Sequence, residues 1–207
     1  MSEMDAPGAS GAEPTPAPPS SNWSAPPPAA AAAAVPGAAG FVYADVPNRV
    51  IALIIDAVIL GIVNLVILGA ILSTVGLGVV TTSGVNVLAL IVYAILGSII
   101  SLVYFVFTWT RMRASPGLKV LGMQVGNAAD GATLTQDQAI KRWIALWGPG
   151  TLGQLLSNFP GIGPLLGLLG LGWMIYLLYT TYQSPTKQGF HDKYASTVVV
   201  KAATTVG

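Results

Sequence analysis

Three long apolar stretches dominate the pattern of hydrophobic and polar positions along the chain. Residues 50–72 carry a single charge, Asp56, while residues 85–109 and 162–182 carry none. Each stretch exceeds the roughly 20 residues with which a helix crosses a bilayer. Tyr and Trp residues stand near their ends, as they do at membrane interfaces. The pattern therefore predicts three membrane-spanning helices.

A fourth stretch, residues 143–159, is shorter and contains Gly148, Pro149 and Gly150. It is consistent with a short span, a re-entrant helix or an interfacial helix. The loop 73–84 has no Lys or Arg, whereas the loop 110–142 and the C-terminal region are basic. With four spans, every basic segment lies on the cytoplasmic side, as the positive-inside rule requires. We therefore predict four spans with both termini in the cytoplasm.

Residues 1–47 have a different composition. Pro and Ala supply about half of them, and Lys and Arg are absent. Such a segment buries too little apolar surface to offset its ordering entropy, so we expect a disordered, polyproline-like tail. The tail lacks the basic and apolar regions of a signal peptide, and we expect it to stay attached. We expect it to act as a spacer or as a ligand for protein modules that bind proline-rich segments.

Composition limits the class of protein. Hydrophobic residues make up 53% of the chain and charged residues only 8%, against about 25% charged in soluble domains. With no Cys, one His and a net charge of +1, disulfides, thiol chemistry, a His-based metal site and nucleic-acid binding are not expected. The chain also lacks the common phosphate-binding, dinucleotide and hydrolase motifs. We predict an all-α membrane bundle in a cell (inner) membrane, with no enzymatic activity and no cofactor.

Two short β-strands are predicted outside the spans. Residues 119–125 alternate weakly after a Ser115-Pro116-Gly117 turn, and residues 196–201 are rich in β-branched side chains. Between them, Thr135 and Gln138 have the spacing of a capping box. If both strands are cytoplasmic, they pair into a small sheet under the membrane.

Asp56 is the most informative residue, because an acid inside a span should face protein or water rather than lipid. Arg49 lies about two turns earlier on the same helical face. Its guanidinium either reaches inward to Asp56 or extends outward to lipid phosphates. Asp56 itself is either a proton- or ion-binding group or an acid held by hydrogen bonds.

His191 and Asp192 follow the last span. His191 is the one side chain whose ordinary pKa lies near neutrality; it is a candidate for proton exchange or a plain loop histidine. Four further cations, Arg111, Arg113, Lys141 and Arg142, form a basic rim that we assign to topology and lipid contact.

The chain resembles the RDD family of bacterial membrane proteins in three parts. The first reads P-N-R-V-I-A-L-I-I-D and contains Arg49 and Asp56. The second reads S-P-G-L-K-V-L-G-M-Q-V, followed by D-G-A-T-L-T-Q-D-Q-A-I-K-R-W up to Trp143. The third reads Q-G-F-H-D-K-Y-A-S-T-V-V-V and supplies Asp192 as the second aspartate. Leu118 and Phe190 depart slightly from the family pattern.

The resemblance implies a domain over residues 48–201, followed by a short tail at 202–207. It also implies functional roles for Arg49, Asp56 and Asp192, with transport of an unknown ligand or cation–proton exchange as candidate activities. Arg49, Asp56, Asp192 and His191 would form the ligand or ion site. The alternative is a non-transporting assembly module that anchors the Pro-rich tail. Besides the lipid bilayer, we expect a homo-oligomer or a membrane partner protein.

Overall fold

The computed structural model describes residues 35–36, 41–82, 84–156 and 161–202. Most of the predicted tail, at 1–34 and 37–40, and the residues from 203 onward lie outside that part of the chain. Among the described residues, three helices are long and apolar enough to cross a membrane: Val46–Thr74, Val87–Met112 and Gly163–Gln183. They correspond to the three predicted spans.

The first of these helices is not uniform. It consists of α1 (Val46–Val63), a π-helical turn (Asn64–Leu68) and α2 (Gly69–Thr74). A small hairpin, β3 (Val80–Thr81) and β4 (Gly84–Val85), connects it to α3.

Helix α3 (Val87–Phe107) starts at Asn86, whose side chain accepts a hydrogen bond from the backbone of Ala89 at 3.1 Å. This is an N-cap that satisfies one of the free N–H groups at a helix start. A second π-helical turn covers Thr108–Met112, and the left-handed residue Arg113 (φ 56°) ends the helix.

Helix α5 (Gln136–Leu156) contains residues 143–156 of the ambiguous fourth stretch, whose last three residues lie outside the described part of the chain. It runs antiparallel to α6 (Gly163–Gln183). The predicted capping box is confirmed, since Thr135 and Gln138 bond to each other's backbone N–H groups. Pro149 has no N–H for the carbonyl of Ala145, one turn before it. The indole of Trp173 on α6 donates to that carbonyl instead, at 3.2 Å, and thereby joins the two helices.

A small antiparallel sheet closes one end of the bundle. Its strands are β1 (Val35–Pro36), β2 (Phe41–Tyr43), β6 (Thr197–Ala202) and β5 (Met123–Asn127), in that spatial order. The short helices α4 (Pro116–Val120) and α7 (Phe190–Tyr194) precede β5 and β6. The predicted strand pairing is confirmed, with Val125 opposite Val199.

Two boundaries differ from the sequence prediction. Lys119 and Val120 are helical rather than extended, because Ser115 caps α4 and Pro116 favours a helix start. Residues 41–43, assigned to the disordered tail, form a strand with Phe41 and Val42 buried against β6. A short apolar run after a Pro/Ala-rich segment gains order here because β6 offers a free edge.

The best-packed core lies where the sheet meets the helices. Phe105, Trp109, Met123, Val125 and Val199 are buried there. Along α1, α3 and α6 the outward-facing side chains are apolar and exposed, as suits contact with lipid.

Candidate functional site

Asp192 is the centre of a buried charge cluster. It lies in α7 and its side chain is fully enclosed (0% exposed). Arg49 of α1 donates to one carboxylate oxygen at 2.6 Å, and Arg142 of α5 donates to the other. The backbone N–H of Gly189 and the hydroxyl of Thr197 complete the shell, at 3.2 and 3.3 Å. The cluster therefore joins α1, α5, α7 and β6.

Both arginines are held by further contacts. Arg49 donates to the carbonyls of Ala44 and Val199, at 3.0 and 3.4 Å. Arg142 donates to Thr197 and lies over the ring of Trp109, with 5.0 Å between the guanidinium carbon and the ring centroid. A guanidinium above an indole face is a favourable cation–π arrangement. Neither arginine is free to extend into the lipid headgroups.

The charges of the cluster are set by burial and proximity. Burial alone would raise the pKa of Asp192, but the adjacent positive charges, Arg142 foremost, hold that pKa well below its usual range. Asp192 is therefore ionised. Burial foremost, together with the two arginines and against the pull of Asp192, lowers the pKa of His191 to about 4. The imidazole is therefore neutral at pH 7, and a role of His191 in proton exchange stays a prediction.

Asp56 is engaged separately. Its buried carboxylate accepts hydrogen bonds from the Tyr104 hydroxyl at 2.7 Å, the Gly117 backbone at 2.8 Å, and the Ser115 hydroxyl. These donors place the Ser-Pro-Gly turn directly on α1. A Cβ at Gly117 would overlap the carbonyl of Ala52, which explains the glycine. Asp56 is thus held by hydrogen bonds, while its role in proton or ion binding stays a prediction. Arg49 meets Asp192 rather than Asp56.

The predicted site residues nevertheless surround one cavity of about 80 Å³. Arg49, Asp56 and His191 line it, and Asp192 lies directly behind the arginines. The remaining wall comes from α1, α3 with the π-helical turn that follows it, α4, α5, α6 and β6. Its lining includes Val46, Val50, Leu53, Phe105, Trp109, Arg142, Leu146, Met174, Leu177, Leu178 and Thr181.

Three residues on this cavity carry a buried polar atom without a hydrogen-bond partner among the described residues. They are Trp109 (Nε1), Arg142 (Nε) and His191 (Nδ1). Two of the three atoms are obligate donors. Unpartnered buried polar atoms are rare in folded proteins and call for an explanation such as a missing ligand or water.

A second cavity of about 310 Å³ lies between α1, α3 and α5. Its polar lining residues are uncharged: Asn64, Tyr93, Ser98, Ser101, Trp143, Trp147, Thr151 and Gln154. It has no contact with the charge cluster.

Arg142 is the main site residue that the sequence analysis missed, since it was assigned to the basic rim. The spacing of residues along the helix could have identified Arg142 as buried. Ala139, Arg142 and Leu146 lie on one face of α5, whereas Lys141 points outward and pairs with Asp137 at 2.7 Å. Tyr104 was also missed, because nothing in an apolar span marks which tyrosine will meet an acid.

The fold and the charge cluster together define a polytopic α-helical membrane protein whose first helix is tied to the C-terminal region. A family model described as the RDD family matches residues 43–196, about three quarters of the chain. The chain therefore belongs to the RDD family, as the three sequence motifs predict. It matches no curated protein and no solved structure.

Proposed function

We propose that the protein binds a small oxyanion-bearing ligand in the 80 Å³ cavity and moves it across the membrane. The observation that carries this proposal is the set of unpartnered donors on the cavity wall, at Trp109 and Arg142. A carboxylate or phosphate oxygen would satisfy both and would be further attracted by the two guanidinium groups.

The state of the two aspartates favours an anion over the cation suggested by the family resemblance. Two arginines balance two aspartates in formal charge, so the cavity has no large excess of either sign. However, Asp192 is engaged by both arginines and Asp56 by three donors. What the cavity leaves available is hydrogen-bond donors rather than a free carboxylate.

Our proposal includes four membrane crossings, with both ends of the domain on the cytoplasmic side of a cell membrane. Three crossings would put the start of α1 and the end of α6 on opposite sides. Arg49 lies near the start of α1 and Asp192 lies in α7, shortly after the end of α6, and Nη1 of Arg49 is 2.6 Å from Oδ2 of Asp192. A crossing by α5, antiparallel to α6, accounts for this contact.

The test of the binding proposal uses Trp109→Phe, which removes the donor and keeps the ring. Inorganic phosphate, acetate and dodecyl phosphate are titrated against the purified protein in a neutral detergent, and thermal stabilisation is followed. We expect at least one of them to bind, and Trp109→Phe to weaken that binding about 2- to 10-fold, the value of one hydrogen bond. An oxyanion that binds is then tested for uptake into proteoliposomes.

The matched control is Trp147→Phe. Trp147 also has an unpartnered Nε1, but it lines the second cavity. Equal effects of the two substitutions, or no binding of any of the three oxyanions, would contradict the proposal.

The alternative function is an assembly module without transport. It is favoured by the fact that both aspartates tie short elements to the membrane helix α1: Asp56 holds α4 through Gly117, and Asp192 of α7 binds Arg49. Deleting residues 1–40 and comparing partner proteins in pull-down experiments tests it, because a module that anchors the tail should lose partners. A homo-oligomer stays a prediction under either function.

A further inference from the structure

We infer that the ligand of the 80 Å³ cavity is an amphipathic anion, a membrane lipid with an acyl chain and a phosphate or carboxylate head, which enters sideways from the bilayer. This inference rests on the proposed function and names its ligand class. It is drawn from the division of the cavity into a polar end and an apolar mouth.

The polar end is nearly closed. Arg142, Thr181, His191 and Val199 line it and are buried, and Arg49 beside them keeps only 11% of its side chain exposed. Behind them lie Asp192 and the sheet. A water-soluble anion therefore has no wide aqueous route to the donors from this side.

The mouth lies between α1 and α6. Val50 and Leu53 of α1 face Met174 and Leu178 of α6, and all four are partly exposed. On either side of the mouth, Ile54 and Ile175 are each 57% exposed, on the surface that contacts lipid. The opening is thus apolar and continuous with the bilayer-facing surface.

Size and chemistry then select the ligand. A volume of about 80 Å³ holds a few waters or one phosphate-sized group, but no long chain. The head would accept hydrogen bonds from Trp109 and Arg142, while its chain leaves through the mouth along α1 and α6. Each methylene group that leaves water adds to the free energy of binding, so the chain strengthens binding well beyond that of the head alone.

The experiment compares dodecyl phosphate, inorganic phosphate and dodecanol, titrated against the protein in a neutral detergent. Leu53→Trp fills one wall of the mouth, and Met174→Trp fills the other. Their matched controls are Ile54→Trp and Ile175→Trp, each one position further along the same helix and facing lipid. Two independent wall variants keep the test valid if one of them fails to fold.

We expect dodecyl phosphate to bind at least tenfold more tightly than either inorganic phosphate or dodecanol. Both wall variants should weaken its binding about tenfold, whereas both controls leave it unchanged. If inorganic phosphate binds as tightly and the wall variants have no effect, the ligand is a soluble oxyanion: the lipid inference fails and the proposed function stands. Equal binding of dodecanol also overturns the inference. If none of the three binds, the lipid inference fails, and the proposed function fails with it when acetate does not bind either.

Discussion

At Asp192, two guanidinium groups share one carboxylate that is fully enclosed. Removing a single partner from a buried ion pair is costly, because the remaining charge stays buried without compensation. Here the loss of Asp192 would leave two such charges. The residue therefore contributes to stability whatever the ligand is.

We predict that Asp192→Asn lowers the free energy of unfolding by about 3–5 kcal/mol. Thermal unfolding in detergent micelles measures the change. Asp130→Asn is the control, since Asp130 is an exposed acid in a turn and its replacement should change the melting temperature little. Equal melting temperatures for both variants would show that the cluster does not stabilise the fold.

His191 gives a pH-dependent prediction. Its pKa is about 4 in the folded protein and 6.5 when unperturbed, so between these values the unfolded state binds more protons. Stability therefore falls as pH falls from 6.5 to 4, by up to about 3 kcal/mol. Asp192, whose pKa is depressed, adds a further loss below pH 4. Melting temperature measured across this range should decline in the wild type.

The matched variant is His191→Asn, which cannot titrate in that range. Its melting temperature should decline less between pH 6.5 and 4, while the loss below pH 4 remains. The same slope in both proteins would mean that His191 titrates normally.

Residue identity was predictable from sequence only where a residue was chemically unusual in its surroundings. Arg49, Asp56 and Asp192 stood out as charges beside or inside apolar segments. Arg142 did not, because it follows Lys141 in a basic region. The two cations differ only in the face of α5 on which they lie: Arg142 is on the buried face and Lys141 on the exposed one. The pairing of Arg49 with Asp192 depends on tertiary packing and could not be read from spacing along a helix.

Among the elements, α4 depends most on one backbone contact. Asp56 accepts a hydrogen bond from Gly117 near the start of α4, and the Cα of Gly117 packs against the carbonyl of Ala52. The carboxylate of Asp56 also lies at the N-terminus of α4, where an acid interacts favourably with the helix dipole.

We predict that Gly117→Ala displaces α4 from α1 and destabilises the protein by about 1–3 kcal/mol, the usual cost of overpacking. Thermal unfolding again provides the measurement. Gly150→Ala is the control, because nothing lies within 4 Å of a Cβ at that position and alanine favours the helix. If Gly117→Ala is as stable as Gly150→Ala, the close packing of α4 on α1 is not maintained in solution.

The long elements could be predicted, whereas the short ones could be predicted only in part. Twenty apolar residues in a row have few alternatives to a helix. Strand β2 owes its conformation to β6, a partner distant in sequence that a local pattern does not contain. Ser115 and Pro116 mark the start of α4 locally, but its packing on α1 depends on the distant Asp56.

For the whole molecule, the close approach of Arg49 to Asp192 predicts which surfaces share a side of the membrane. The chain has no native Cys, so a thiol reagent labels a single-cysteine variant only at the introduced position. Lys193→Cys and Asp137→Cys should react with an impermeant thiol reagent from the same side, and Thr81→Cys from the other. All three positions are exposed.

Labelling of Lys193→Cys and Thr81→Cys from the same side would contradict four crossings. Labelling of Asp137→Cys opposite to Lys193→Cys would likewise be incompatible with the contacts between α5 and α7. The charge distribution favours four crossings, a number that stays a prediction, but it contains no information on how the helices pack.

The hydrogen bond between Arg49 and Asp192 joins residues 143 positions apart in the chain. During synthesis, the first helix leaves the ribosome long before its carboxylate partner exists. Until then Arg49 lacks its ion-pair partner. Asp56 likewise lacks two of its hydrogen-bond donors until Ser115 and Gly117 of the Ser-Pro-Gly turn have been made. The charge of Arg49 on the first helix is therefore compensated only after the C-terminal region has been made, so the buried cluster is among the last parts of the fold to form.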